Sequence, residues 1–133
     1  MIVKAVVFIV GLSDFLAGAA LLLAPQWFFD HIGTYPPYSP HFLGDAGAFL
    51  TPVGAALILA ATNPVKYRSL VALGTIVSVL HFLNHLDGSL TAGESWLQTI
   101  VVAVPAVAML VVVAVGRSKS RVNAMKSREG VSR

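Results

Sequence analysis

His81 and His85 stand four residues apart in the stretch S-V-L-H-F-L-N-H-L-D, residues 78–87. On an α-helix that spacing stacks both imidazoles on one face, one turn above the other, and Gly74 and Ser78 continue the same stripe. His41 and Asp45 repeat the spacing in H-F-L-G-D-A-G-A, with Ala48 and Pro52 along their stripe. Each pair can present both of its groups to one ion, and three imidazoles with a carboxylate complete a site for Zn, Fe or Cu. The candidate metal ligands are therefore His41, Asp45, His81 and His85. The same groups can instead form a hydrogen-bonded or proton-handling network, His81 with Asp45 and His85 with Asp87. Asp14, Asn84 and Asp87 are the further polar candidates. Haem or quinone contact is a third option. A bis-histidine haem would need His41 or His31 opposite one of the pair, because His81 and His85 project from one face and cannot take opposite sides of one iron.

These residues lie in or beside segments that must cross a membrane. In 133 residues, 56% are hydrophobic and only 11% charged, outside the range of soluble globular chains. Apolar runs fall at about 2–24, 42–62, 70–86 and 96–115, each near the ~20 residues an α-helix needs to cross ~30 Å of hydrocarbon. A closed β-barrel would require alternating segments of about ten residues, which these continuous runs are not. The expected fold is thus all-α, an integral membrane antiparallel four-helix bundle over residues 1–115, followed by a basic cytoplasmic tail over 116–133 that is either mobile or a short helix resting on anionic headgroups. An ionisable stripe inside such a segment is costly to keep and marks a functional site.

The elements have readable punctuation. The first run is too long for the apolar core of a secretory signal and is interrupted by Ser13 and Asp14, so it reads as a retained helix. Gly11, Asp14 and Gly18 form a small-residue face on it, with Asp14 near mid-membrane. Asp14 is read either as a neutral acid bonded to a neighbouring helix or as a proton or ion relay. Pro25 ends this helix. Residues 26–41 read as a loop in which Trp27, Phe28, Phe29, Tyr35 and Tyr38 alternate with prolines, a segment lying at the headgroup level. The second helix starts just after Pro40, and Gly44, Gly47 and Gly54 let another backbone approach. Pro52 and Pro105 interrupt helices two and four. Residues 87–95 read as a polar loop.

The charges set an orientation. Lys4, the Lys66/Arg68 turn and the tail carry every Lys and Arg, while the loops 25–41 and 87–95 carry none. By the bias of basic residues toward the cytoplasm, both termini are cytoplasmic and the His41/Asp45 and His81/His85 pairs share the outer leaflet. Counting from Leu86, His85 lies at the interface and His81 about 7 Å deeper. The tail holds six bases and one acid, suited to anionic headgroups, with no nucleic-acid partner expected. With no cysteine, thiolate and disulfide chemistry is excluded. No nucleotide-binding loop, serine triad context or H-E-x-x-H motif is present.

A Gly-rich first helix, a second helix opening G-D-A-G-A, an A-x-x-N-P turn and a basic tail together resemble the DoxX-like small four-helix membrane proteins. The resemblance implies a bacterial inner-membrane protein, in some members associated with quinone-linked redox complexes. It assigns no catalytic residue here, so the histidines rest on spacing alone. Two functional readings stay open. One is a redox or metal-handling protein using the histidine and aspartate groups, and the other is a non-catalytic accessory or transport subunit that binds partner helices or a second copy through its glycine faces.

Overall fold

Proline and small polar residues set the helix ends in the computed structural model, which describes residues 1–33 and 37–131, with side chains only up to 118 and without that of residue 117. Helix α1 is Ile2–Leu23, α2 Pro25–His31, α3 Pro40–Thr62, α4 Arg68–Thr91 and α5 Trp96–Val131. No strand occurs among the described residues. Four of these helices, with α5 counted over Trp96–Gly116, are long and apolar enough to cross a membrane. Ser39 caps α3, its hydroxyl accepting the Phe42 amide at 3.3 Å, and Pro40 occupies the first turn, where a missing N–H costs nothing. Asn63 organises the next turn, its side-chain oxygen accepting the Lys66 amide at 3.1 Å and its carbonyl accepting the Tyr67 amide at 3.0 Å.

The chain divides into two compact units, Met1–Leu70 and Val71–Arg133. In the first, α1 and α3 pack closely and antiparallel. Four glycines make this possible. A methyl on Gly11 would lie 2.7 Å from Leu57 Cβ and 2.8 Å from the Ile58 nitrogen, and one on Gly47 would lie 2.7 Å from the Gly18 carbonyl oxygen. Gly18 faces the Thr51 backbone and Gly54 that of Phe15. In lipid, apolar side chains gain little by leaving one apolar medium for another, so helix association relies on such close contact. Lys4 Nζ donates to the Thr62 carbonyl at 2.7 Å, placing a cation on the C-terminal end of α3, where the helix dipole favours it. Val7, Val10, Leu21, Leu43 and Leu57 are buried in this unit, whereas Phe42 and Phe49 are exposed, as a lipid-facing surface requires.

Four expectations change. Gly44 makes no close approach, since nothing lies within 4 Å of a Cβ placed there. The reason is length: Gly47 already meets Leu21 and Leu22, and α1 stops at Leu23, so Gly44 lies past its end. Residues 25–31 are helical rather than loop, because Pro25 serves as a first-turn residue and two i,i+4 contacts support the turn. Gln26 Nε2 donates to Asp30 Oδ1 at 2.9 Å, and the His31 ring stacks on Trp27 at 5.4 Å. Tyr35 and Pro36 of the expected interfacial segment lie outside the described residues. Helix α4 continues past Leu86 to Thr91. Finally, α5 runs unbroken for 36 residues, about 54 Å against a ~30 Å hydrocarbon layer, so the backbone of the tail through Val131 is helix. The tail's expected contact with headgroups concerns side chains outside the described set.

Candidate functional site

Within the second unit, α4 buries Val71, Gly74, Thr75, Ser78, His85 and Ser89. Gly74, Ser78 and His85 of the expected stripe are buried along one helical face, whereas its fourth member, His81, is exposed. Hydroxyls on it satisfy themselves within the helix, Thr75 Oγ1 donating to the Val71 carbonyl at 2.8 Å and Ser78 Oγ to the Gly74 carbonyl at 2.9 Å. At the far end of the stripe stands the histidine pair. His85 Nε2 and His81 Nε2 are 3.2 Å apart, with ring centroids 4.9 Å apart and planes inclined by 51°. His85 is buried and His81 is exposed, so one imidazole is held by protein and the other is open to its surroundings.

The end of α4 and the start of α5 fix His85 from behind. Thr99 Oγ1 donates to the His85 carbonyl at 3.1 Å and pairs with Ser89 Oγ at 2.7 Å, all three groups being buried. After Thr91 the chain turns through Gly93, whose φ of +69° is a left-handed conformation that glycine adopts without strain. The Glu94 amide then donates to the Gly88 carbonyl at 3.2 Å, bringing residue 94 back over the last turns of the helix. Gly88 offers no side chain there, and the Glu94 carboxylate rests against it. That carboxylate reaches His85, with Glu94 Oε2 4.0 Å from His85 Nδ1 and side-chain exposures of 37% and 8%.

The carboxylate beside His85 is thus Glu94, and the pairing expected with Asp87 is corrected. Because α4 continues to Thr91, Asp87 projects from an exposed position while its carbonyl accepts the Thr91 hydroxyl at 2.8 Å. Asn84 is exposed as well. In the first unit, His41 Nε2 and Asp45 Oδ2 do pair along α3 at 3.6 Å, but their side chains are 91% and 61% exposed, a surface contact worth at most about 1 kcal/mol. Asp14 is half-buried on α1 between the crossing glycines. His31 is tied locally, its Nδ1 2.8 Å from the Trp27 carbonyl oxygen. Among the described residues no group of three or more His, Asp or Glu could hold a metal ion; His41 and Asp45 belong to the first unit and His81 and His85 to the second.

Sequence reasoning missed Glu94, Ser89 and Thr99. A signal for the first was present in the spacing H-x-x-G-x-x-x-x-G-E, residues 85–94, in which a glycine one turn beyond the histidine is followed by a second that can reverse the chain. Fold and site define an all-α, multi-pass membrane protein with a histidine pair backed by a carboxylate at one end of a spanning helix. Comparison with protein-family models, curated proteins and solved structures finds no match.

Proposed function

We propose that this chain is a bacterial inner-membrane protein, with both termini cytoplasmic, that takes up one cation at a time, a proton or a transition-metal ion, at the His81/His85 pair near the outer end of α4. The observation carrying this reading is the 3.2 Å approach of the two Nε2 atoms. Two imidazole nitrogens at that distance share either one hydrogen or one metal ion, and both are cation chemistry. The pair's position supports the same reading. His85 is buried and held through its carbonyl, while His81 is exposed on the helix surface, so His81 is the open member of the pair. The placement of Lys4, Lys66 and Arg68 favours the orientation, and the DoxX-like features favour the bacterial inner membrane.

The test is cation movement through the full chain reconstituted in sealed vesicles, read with an internal pH dye and an internal zinc dye. Wild type moves protons or zinc faster than empty vesicles, and His81→Ala and His85→Ala abolish the difference while His31→Ala retains it. If neither dye separates wild type from the His81 and His85 variants, the pair is packing, and the accessory-subunit reading replaces this one.

A further inference from the structure

Resting on that reading, we infer that Glu94 is a positioning residue which holds the proton of His85 on Nδ1, so that the Nε2 lone pairs of His85 and His81 converge on one divalent transition-metal ion of the zinc class. Three observations in the second unit bear on this. First, the two edges of the His85 ring face different partners, with Glu94 Oε2 4.0 Å from Nδ1 and His81 Nε2 3.2 Å from Nε2. At 4.0 Å the carboxylate is beyond hydrogen-bond length and acts through space, its charge favouring the tautomer protonated on the facing nitrogen and leaving the other nitrogen as a lone pair. Second, the separation suits chelation. With Zn–N bonds of about 2.0–2.1 Å and a tetrahedral angle, two nitrogens on one ion lie roughly 3.3–3.4 Å apart. The observed 3.2 Å is just short of that, so an ion enters when the two rings part slightly. Third, the placement of Glu94 is built rather than incidental. Gly93 turns the chain, the Glu94 amide bonds the Gly88 carbonyl, and Gly88 leaves room for the carboxylate.

No three-ligand group occurs among the described residues, and Glu94 is not among the proposed ligands. Glu94 faces the edge of His85 opposite the ion and acts through the imidazole instead of binding the metal. Two protein nitrogens leave the other coordination positions to water or to an incoming ligand, the open form of site rather than the closed structural form. Imidazole donors without thiolate select borderline ions such as zinc, nickel or copper(II).

The experiment uses the full chain in detergent micelles, with zinc binding by calorimetry, cobalt(II) binding by visible absorption, and the His85 tautomer by nitrogen NMR in the metal-free state. Wild type is expected to bind one ion per chain and to show His85 protonated at Nδ1. Glu94→Gln should weaken binding about 10- to 100-fold, the usual effect of losing the outer partner of a metal-bound histidine, and should shift the metal-free tautomer. Gly88→Ala should do the same in part, because its methyl would displace the Glu94 carboxylate while leaving both histidines intact. His41→Ala should bind as wild type. Glu94→Gln binding within about twofold of wild type, with an unchanged tautomer, would overturn the positioning role. Loss of binding in His81→Ala would in that case preserve the site. A wild-type chain that binds neither zinc nor cobalt also overturns the inference, and the vesicle assay then decides the proton reading separately.

Discussion

Replacing Gly54 with alanine tests the closest approach of α1 and α3. A Cβ on Gly54 would fall closest to the Phe15 backbone nitrogen and 2.7 Å from both the Gly11 carbonyl oxygen and Phe15 Cα, whereas ordinary contact begins at 3.4 Å. The helices must therefore part by more than the 0.7 Å that the latter two require. All three obstacles are backbone, so no side-chain rotation relieves them, and separation also loosens Gly18 against Thr51 and Gly47 against Leu21. Overpacking of this kind costs about 1–3 kcal/mol, and rigid partners place it toward the upper end. Alanine recovers up to about 1 kcal/mol of helix propensity, leaving a net loss near 2 kcal/mol. Gly44→Ala is the matched control, since a methyl there meets nothing within 4 Å and only the propensity gain remains. The assay is equilibrium unfolding in mixed micelles titrated with sodium dodecyl sulfate, followed by circular dichroism. Equal midpoints for Gly54→Ala and Gly44→Ala would refute the close crossing and the account of unit 1 built on it.

Other substitutions probe separate contacts. Thr99→Val removes the donor to the His85 carbonyl and the partner of Ser89, and should lower stability by about 1–2 kcal/mol in the same unfolding assay while weakening zinc binding more than it weakens the fold. Lys4→Met should cost about 1 kcal/mol by leaving the Thr62 carbonyl at the end of α3 without its cation, an effect that shrinks as salt rises. Ser39→Ala should cost about 1 kcal/mol through loss of the cap on α3. Ser39→Cys in intact cells should react with a membrane-impermeant thiol reagent from outside, and labelling from the cytoplasmic side alone would reverse the proposed orientation.

The face of α4 was legible because Gly74, Ser78 and His85 repeat at the helical period inside an apolar run, and all three are buried on it. Likewise Gly11, Gly18, Gly47 and Gly54 announced close packing by their type and spacing, and each sits against backbone or Cβ atoms of a facing helix. Helix ends were less legible. Asp87, Gly88 and Ser89 look like a turn by composition, yet Ser89 is buried and bonded to Thr99, and the helix runs on for about one and a half more turns to Thr91. Pro25 was read as a stop when it also starts α2, since one residue type serves both ends of adjoining helices. Glu94 was hidden for a different reason. Its role comes from a chain reversal at Gly93 that returns it to His85, and helical periodicity carries no information about residues beyond the helix.

The depth of the histidine pair bears on what kind of cation chemistry it can support. From His85 to the end of α4 at Thr91 the helix rises about 9 Å, and from His81 about 15 Å. A bare divalent ion at mid-bilayer would be costly to hold with two neutral ligands, because nothing there replaces its hydration shell. His85, about 9 Å from the end of α4, is the member of the pair nearer to water and headgroup oxygens. The partly exposed Glu94 lies across the His85 ring from the proposed ion position. Two ligands on adjacent turns of one helix also release an ion without any helix moving, unlike a four-ligand site that would tie several helices together. The proposed two-nitrogen site, with one carboxylate beside it, would therefore suit passing a cation on better than clamping helices together.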